Sequence, residues 1–459
     1  MATKKMTSKK AEKAEKAEKV EKTVKAEKKA KTAVKAAAAL KKVKAAKSAK
    51  SAKPAKPAKP APAEQAYVPA PEVAAILPDL IALRHDLHQH PERGFDTAGT
   101  RMRVAKWLSD HGVTAIENET LESALFVTVE GIRPGPTIAL RADMDALPMT
   151  DASGAPYASQ TPGCAHTCGH DGHTTWLAGA LAALQAENDF PGRVLGIFQP
   201  AEEIGTGAMA VVKAGALRKY DVREIYGMHA EPSVDAGKMG FKVGPMQAAA
   251  DFFYVTIEGK GGHGARPQMA VDPIPCGAEL VGALQTVVTR RINPTQPVVI
   301  SVCSFVAGST PACNVIPATA ELSGTVRTFD AETRKKVRAE MAKTVKAVAE
   351  AHGCVGSLRI EDFGNPVINH PETTAFARAA ADELYGEGTG VDFPLTMGGE
   401  DFSEYQAVVP GTMIRFGVRD AKHQASLHHP KFDFNDRVLG GAATFLAETV
   451  RKRLAMLAD

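Results

Sequence analysis

Long apolar runs are missing from this sequence of 459 residues. No stretch reaches the ~20 continuous apolar residues of a membrane-spanning helix, and the N-terminus lacks the apolar centre of a secretory signal. Cysteine is also scarce, with six residues in the chain, which predicts reduced thiols rather than a disulfide framework. Together these absences predict a soluble cytoplasmic protein without a membrane partner.

The N-terminal segment lacks arginine and has almost no large apolar residues. Residues 1–60 carry 21 Lys and 5 Glu, a net charge of +16, whereas the rest carries 35 basic and 47 acidic residues, a net charge of −12. Such a composition cannot bury enough surface to offset its ordering entropy, so residues 1–65 are predicted to be a disordered Lys/Ala/Pro-rich tail. Two interpretations stay open: a non-specific nucleic-acid contact, and a solvated extension or a wrongly assigned start codon.

The body of the chain is predicted to be an α/β protein. Apolar residues recur at helical spacing from Ile76 to Leu87, and three short apolar runs end in polar residues, with a helical segment between the first two. The runs cover 137–148, 193–203 and 224–230, and the helical segment covers 173–188. This alternation predicts a mainly parallel sheet with helices on both faces, and ligand sites at the carboxyl ends of its strands.

Residues 248–362 have a different pattern. Strand-like and helical segments follow one another as β-α-β-β-α-β, the order of a ferredoxin-like α+β domain. After this stretch the alternating α and β pattern resumes and ends in a helix over 437–456. We therefore predict one discontinuous α/β domain, 66–247 and 363–459, interrupted by a smaller inserted domain.

The densest group of metal-binding residue types lies in CAHTCGHDGH, residues 164–173. Thiolates and imidazoles are preferred ligands of zinc and its first-row neighbours. A purely structural zinc site would need a second Cys pair, which does not follow downstream. The candidate ligands in this segment are Cys164, His166, Cys168, His170, Asp171 and His173.

Two adjacent carboxylates, Glu202 and Glu203, follow a predicted buried strand. Adjacent residues after a strand point in different directions, so that one can bind metal while the other faces the substrate. His229 ends the next predicted strand, and neighbouring parallel strands would set it beside Glu203; a satisfied core histidine is the alternative. Near the C-terminus, either His428 or His429 is a candidate to complete a site assembled from both halves of the split domain.

Asp143 and Asp145 lie two residues apart, and therefore on the same side of an extended strand. One interpretation is a hydrogen bond that orients a metal-binding imidazole. The other is an aspartate that caps the following turn, and the sequence does not decide between them.

Taken together, these residues are candidates for a hydrolytic site with two metal ions. The pair would lower the pKa of a bound water, and Glu202 would act as its general base. The candidate ligands are Cys168, His170, Glu203, His229 and His428.

Seven motifs in this order resemble the aminoacylase and carboxypeptidase family of co-catalytic metallopeptidases. The similarity is greatest to its amidohydrolase branch, which includes hippurate hydrolases, N-acyl-amino-acid deacylases and auxin-conjugate hydrolases. It spans about residues 75–455 and excludes the tail. The motifs are RADMDALP, CGHDGH, QPAEE, GMHA, GKGGHGARP, MGGEDF and LHHPKFDFND.

The resemblance implies a role for each metal ligand. Cys168 stands where most of the wider family has a metal-bridging aspartate. His170 and His229 would bind one divalent metal ion, and Glu203 and His428 the other. Manganese, zinc, cobalt and nickel all remain candidates for the two ions in each subunit.

The resemblance also implies catalytic and substrate-binding roles. Glu202 would activate the water and pass its proton to the leaving amine, and Asp143 replaces a metal-binding histidine of the wider family. The inserted domain would be a lid and dimerisation domain, and its His263 would reach the partner's site in a homodimer or higher oligomer; a loop position without function is the alternative. The remaining implied substrate-binding residues are Asn314, Arg327, Gly398 and Gly399.

The implied reaction is hydrolysis of the amide bond of N-acyl or N-aroyl amino acids such as hippurate. A dipeptidase or an arylamine aminohydrolase would use the same site. A protein of another class, nucleic-acid-associated through its basic tail and with a vestigial enzyme body, is the third alternative.

Overall fold

The computed structural model describes residues 67–458, so the predicted tail over 1–65 and its nucleic-acid contact lie outside the described residues. The described part contains ten α-helices, here numbered α1 Pro71–Gln89, α2 Ala98–Asp110, α3 His170–Ala186, α4 Gly207–Lys213, α5 Ala216–Lys219, α6 Pro273–Thr286, α7 Ala331–Ala351, α8 Pro371–Tyr385, α9 Ser403–Gln406 and α10 Leu439–Ala458. None of these helices is long and apolar enough to cross a membrane.

The strands of the same described part are β1 Ile116–Glu117, β2 Leu125–Glu130, β3 Arg133–Asp143, β4 Pro191–Gln199, β5 Val222–Asp235, β6 Met239–Phe241, β7 Gly244–Gln247, β8 Ala249–Glu258, β9 Gly262–His263, β10 Val299–Ala307, β11 Val315–Ile316, β12 Thr319–Thr328, β13 Val355–Gly364, β14 Val367–Asn369, β15 Gly390–Asp392 and β16 Gly411–Arg419.

Eight strands form the large sheet, in the order β1-β2-β4-β3-β5-β16-β6-β15. Its central strands β4, β3, β5 and β16 run parallel to one another. These four strands are buried over most of their length, apart from the beginning of β3 and the end of β5, as expected for a parallel sheet that is covered on both faces. The prediction of a mainly parallel sheet is therefore confirmed.

Helices cover both faces of the large sheet. On one face α1, α3 and α10 contribute to an apolar core with the strands, and on the other α4, α5 and α9 contribute to a second core. Helix α3 is buried along its first fifteen residues. An apolar helix of this kind, surrounded on all sides, can carry polar side chains at its N-terminus into the interior of the domain.

The four-stranded sheet is antiparallel, in the order β10-β12-β8-β13. Helices α6 and α7 pack against one of its faces. Side chains of Asp272 and Asp330 cap the N-termini of these helices by accepting from backbone N–H groups. The predicted helix over 274–291 is α-helical as far as Thr286 and then forms a π-helical turn over Val287–Arg291.

The order β8-α6-β10-β12-α7-β13 is ferredoxin-like, and it interrupts the elements of the large sheet. The predicted fold class, α/β with an inserted α+β unit, is confirmed. The boundaries 66–247, 248–362 and 363–459 stay a prediction.

Candidate functional site

A cavity of about 540 Å³ opens where the carboxyl ends of the parallel strands face the four-stranded sheet. Several residues predicted from the sequence line its wall. These are Cys168, Glu202, Glu203, His229, Arg327, Gly398, Gly399 and His428. The predicted candidates therefore converge from distant parts of the chain on one cavity, which is the position expected for a ligand site in an open α/β sheet.

Cys168 and His170 are separated by a glycine in the left-handed region. Gly169 has φ +88° and precedes the first residue of α3, so the chain turns sharply between the two side chains. The Sγ atom of Cys168 lies 3.4 Å from Nε2 of His229 and 3.3 Å from Nε2 of His428. The thiol therefore lies between two imidazoles that come from other segments.

His170 is held in one orientation by a backbone carbonyl from a distant segment of the chain. Its Nδ1 lies 2.8 Å from the carbonyl oxygen of Asp145, to which it donates. Its Nε2 is buried, and among the described residues it has no hydrogen-bond partner. Because a buried polar atom without a partner costs free energy, this nitrogen is suited to a ligand that is not part of the chain.

His229 differs from its predicted position in two respects. The prediction that a strand ends at His229 is wrong, because β5 continues to Asp235 by pairing with β16 after its pairing with β3 has ended. The prediction that the strands of His229 and Glu203 are neighbours is also wrong, because β3 lies between β4 and β5. Nδ1 of His229 lies 2.8 Å from the carbonyl oxygen of Ala230, which leaves Nε2 directed at Cys168.

Asp145 positions the turn that carries the two glutamates. Its carboxylate oxygens accept from the backbone N–H groups of Glu202 and Glu203 at 2.9 and 3.2 Å. The Oε2 atom of Glu203 lies 3.5 Å from Nε2 of His428, and its Oε1 is buried without a hydrogen-bond partner in the described chain. The two side chains thus approach the same space from adjacent positions.

Asp143 connects a buried arginine with a buried histidine. It accepts from Arg141 at 2.7 Å and from Nδ1 of His173 at 2.6 Å. Nε2 of His173 accepts from the backbone N–H of Ala230, so this ring has one donor and one acceptor nitrogen and is neutral. His173, a candidate ligand by sequence, has both nitrogens engaged and instead holds the backbone beside His229.

The two C-terminal histidines have different surroundings. His428 has φ +60°, a left-handed conformation that is uncommon for a non-glycine residue, and its N–H donates to the carbonyl of Thr167. Its ring faces Cys168 and Glu203. Nδ1 of His429 accepts from the N–H of Lys431 in its own turn. Of the two alternatives, the structure brings His428 to the cavity.

Glu202, Cys168 and Glu203, which line the cavity, have shifted pKa values. Burial, followed by the negative charges of Glu400 and Glu203, raises the pKa of Glu202 well above its ordinary value. Burial likewise raises the pKa of the Cys168 thiol. Burial acts in the same sense on Glu203, but the hydrogen bond to His428 and the charge of His170 outweigh it and lower the pKa of Glu203. Divalent cations at these groups would favour the ionised forms.

The structure does not bring every predicted residue to the cavity. His263 lies in β9, paired with Val315 of the antiparallel strand β11, and Asn314 directly precedes β11, where its carbonyl accepts from the N–H of Gly264. Neither residue lines the cavity of its own chain. Their implied roles stay predictions, and that of His263 requires a second subunit.

A buried charge network behind Glu202 was missed from the sequence. Arg141 lies 3.0 Å from Glu400 and 2.9 Å from Asp401, in addition to its contact with Asp143. Burial raises the pKa of Asp401 to about 7, although the charge of Arg141 opposes this. Two signals were present: an arginine within an apolar strand run, and two carboxylates directly after the glycines of MGGEDF. A second missed residue is Arg415, which also lines the cavity.

The chain is similar over most of its length to characterised hydrolases. A sequence profile of Peptidase family M20/M25/M40 matches residues 139–452. The chain is 36% identical to the N-acetylcysteine deacetylase of Bacillus subtilis over 370 residues, which cover 80% of this chain and 95% of the relative. It is 34% identical to the hippurate hydrolase of Campylobacter jejuni over 387 residues, covering 84% and 99% of the two chains.

The crystal structure of a similar protein supports the same family assignment. A Bacillus subtilis protein described as a dinuclear metal-binding peptidase from the M20 family superposes with a TM-score of 0.73 and 33% sequence identity, covering 83% of this chain and 99% of that chain. The resemblance seen in the motifs is thereby confirmed, and the enzyme is a metal-dependent amidohydrolase. The chain belongs to Peptidase family M20/M25/M40.

Proposed function

We propose that this enzyme hydrolyses the amide bond of N-acyl or N-aroyl amino acids. The relatives that support this substrate class are a deacetylase of N-acetylcysteine and a hippurate hydrolase, both of which act on an acylated amino acid by name. The cavity of about 540 Å³ lies within the range of small-molecule sites.

The observation that carries this proposal is the arrangement of potential metal ligands. Cys168, His170 and His229 place one ligand atom each within 4.8 Å of one another, and so do Cys168, Glu203 and His428. Both groups include Cys168, whose thiolate would be a ligand in each. We assign one divalent metal ion to each group.

The donor atoms fit divalent cations of the first transition row. Thiolate and imidazole suit zinc, cobalt and nickel, and carboxylate also accommodates manganese. Nε2 of His170 and Oε1 of Glu203 are buried without a hydrogen-bond partner in the described chain, and a metal ion would satisfy both atoms. Binding releases the thiol proton of Cys168, since the thiolate is the ligand form.

When bound, the two cations activate the attacking water and polarise the scissile carbonyl. Glu202 acts as the general base: its carboxylate takes one proton from the water as the new C–O bond forms. The same carboxyl then gives this proton to the amide nitrogen as the C–N bond breaks. Carboxylic acid and amine leave, and Glu202 returns to its ionised form.

The surroundings of Glu202 suit a group that gains and loses a proton. Burial and the nearby carboxylates of Glu400 and Glu203 favour its protonated form, and the bound cations favour the ionised form. Arg141 holds Glu400 from behind the cavity. These opposing influences are expected to bring the working pKa of Glu202 towards the pH of the reaction, where a general base is most effective.

The substrate-binding roles implied by the motifs remain part of the proposal. Arg327 lines the cavity and is assigned to the α-carboxylate of the amino acid, while Gly398 and Gly399 allow the substrate to approach the backbone. His263 is assigned to the active site of the partner in a homodimer, and Asn314, like Arg327, is assigned to the substrate carboxylate. Asp143 and Asp145 are assigned to positioning the imidazoles and the glutamate turn.

Substitution of the adjacent residues Glu202 and Glu203 tests these assignments. In enzyme loaded with Mn or Zn, Glu202→Gln is expected to lower kcat on hippurate or N-acetyl amino acids at least about a hundredfold while elemental analysis still finds two metal ions per chain. The matched variant Glu203→Gln is expected to lower both kcat and the metal content. Substantial turnover by the first variant would contradict the assigned base.

A substrate screen distinguishes the remaining alternatives. The screen compares hippurate, N-acetyl amino acids, indole-acyl conjugates and dipeptides at equal concentrations. Preference for dipeptides would replace the proposed reaction by a dipeptidase reaction at the same metal centre.

A further inference from the structure

Arg415 is a buried cation in the wall of the active-site cavity. It lies on β16, where it is paired with His229 of the neighbouring parallel strand β5, and 5% of its surface is exposed. Its Nε is buried and has no hydrogen-bond partner among residues 67–458, and no ion pair with a carboxylate of this part of the chain is formed. The guanidinium is therefore buried beside the cavity without a counter-ion from the described protein.

Other deeply buried arginines of the enzyme are compensated. Arg84 contacts Asp171 and Asp436, Arg141 contacts three carboxylates, and Arg453 contacts Glu224 and Glu372. An arginine does not lose its proton in a protein, so burial leaves the charge in place. Because buried charges are normally paired, Arg415 is suited to receive an anion from outside the chain.

Two of the acidic groups in the same wall are engaged elsewhere. Glu231 also lines the cavity, and its Oε1 accepts from both the N–H and the hydroxyl of Ser233. Glu203 faces His428. The charge of Arg415 is thus available to the ligand in the cavity.

A second guanidinium lines the same cavity from the four-stranded sheet. Arg327 of β12 is the residue already assigned to the α-carboxylate of the amino acid, so Arg415 requires another anionic group. A carboxylate matches the planar fork of a guanidinium with two parallel hydrogen bonds. We propose that Arg415 binds a second carboxylate of the substrate, and that the preferred substrates are N-acyl amino acids with two carboxylates.

This inference rests on the proposed amidohydrolase reaction and narrows its substrate class. The second carboxylate has two chemical sources. It belongs either to the side chain of an acidic amino acid, as in an N-acyl glutamate, or to the acyl group, as in an N-succinyl amino acid. Two substrate pairs of closely matched shape distinguish these sources, because the members of each pair differ in charge.

The experiment compares kcat/KM within each pair for the metal-loaded enzyme. The pairs are N-acetyl-L-glutamate with N-acetyl-L-glutamine, and N-succinyl-L-alanine with N-(4-methylpentanoyl)-L-alanine. We expect the charged member of one pair to be preferred by about 10- to 100-fold, the range for a charge-assisted hydrogen-bond pair. Arg415→Met should abolish this preference, and Arg415→Lys should restore part of it.

Arg419→Met is the matched control. Arg419 lies on the same strand and pairs with the exposed Asp235, and it does not line the cavity. The control should keep the full preference for the charged substrate. Overturning results are a wild-type preference below about threefold in both pairs, or an equal loss for both members of each pair in Arg415→Met.

Binding measurements distinguish a failure of this inference from a failure of the proposed reaction. If hippurate and all four pair members resist hydrolysis, the proposed reaction fails. Calorimetry with the holoenzyme then tests Arg415 alone, using succinate against butyrate and L-glutamate against L-glutamine. A drop of at least about tenfold in affinity for one of the charged probes in Arg415→Met supports the inference, and unchanged affinity for both charged probes overturns it.

Discussion

The large sheet and the four-stranded sheet bury their residues differently. Helices cover both faces of the large sheet, and α3, which presents His170, is buried on all sides. The four-stranded sheet is covered on one face by α6 and α7, while Phe252 and Tyr254 on its other face are partly exposed. The candidate ligands thus lie in the layer that is covered on both faces, whereas the residues proposed to bind the substrate come partly from a half-covered layer.

The two regions also differ in how they hold buried charge. Behind the cavity, one cation serves several acids: Arg141 contacts Asp143, Glu400 and Asp401, all deeply buried. In the four-stranded region, one buried acid is served by two cations near the surface, since Asp251 accepts from Nε of both Arg334 and Arg338 at 3.0 Å. Loss of a partner should therefore be costlier in the first region, where water cannot reach the remaining charges.

Arg141→Met is the test of this difference with the largest expected change in the free energy of unfolding. The substitution leaves three buried carboxylates without their cation, and we expect the free energy of unfolding to fall by about 3–5 kcal/mol. Arg133→Met is the control on the same strand, because its ion pair with Asp189 is exposed and contributes at most about 1 kcal/mol. Denaturant unfolding of both variants measures the difference, and similar midpoints would contradict the comparison.

Adjacent phenylalanines test the half-covered sheet. Phe253 is fully buried against α6 and α7, whereas 36% of Phe252 is exposed and this side chain lines the cavity. Phe253→Ala is expected to cost about 3–4 kcal/mol of unfolding free energy, and Phe252→Ala less than about 1 kcal/mol. Phe252→Ala should instead raise KM. Equal losses of stability would show that both faces of this sheet are covered.

Much of the architecture was predictable because local patterns reflect it. The helical spacing from Ile76 to Leu87 predicted a segment of α1, and apolar runs predicted β3, β4 and β5. Strand order was not predictable from those runs, since the position of β3 between β4 and β5 depends on crossover connections. The continuation of β5 beyond His229 likewise depends on a partner strand, β16, that lies almost two hundred residues away in sequence.

The candidate site was predictable to the extent that its residue types are rare in such positions. Cysteine and histidine in CGHDGH indicate metal chemistry by themselves, and paired glutamates after a strand support this interpretation. Arg141 and Arg415 gave no comparable signal, because an arginine in a strand is ordinarily on the surface. Their importance depends on what surrounds them: Arg141 meets three acids, and Arg415 meets none in the described chain.

The pH dependence of the unfolding free energy tests the contribution of His88 to the buried charges between α1 and α3. Burial disfavours its charged form, but the carboxylates of Asp171 and Asp151 outweigh burial and raise the pKa of His88 to about 9 from the ordinary 6.5. The folded state therefore binds the proton more tightly than the unfolded state. The resulting stabilisation is complete below pH 6.5 and is lost as the pH rises through 9.

The expected size of this contribution is about 3 kcal/mol at most. The free energy of unfolding should fall less between pH 6 and pH 10 in His88→Gln than in the wild type, by up to that amount. In the variant, Asp171 keeps Arg84 as a partner, so the comparison isolates the imidazole. Parallel pH profiles for the two proteins would remove His88 from the charge network.

The smallest expected effect is an increase in the free energy of unfolding, and it concerns Arg415 in the large sheet. Arg415 is buried without a partner in the described chain, so replacing it by methionine removes an uncompensated charge while keeping an apolar stem of similar length. We expect Arg415→Met to raise the free energy of unfolding by about 1 kcal/mol in ligand-free enzyme. Arg141→Met, on the neighbouring part of the same sheet, should lower it. Denaturant unfolding of the two variants side by side measures both signs, and a marked loss of stability in Arg415→Met would mean that the protein itself, rather than a bound carboxylate, compensates this guanidinium.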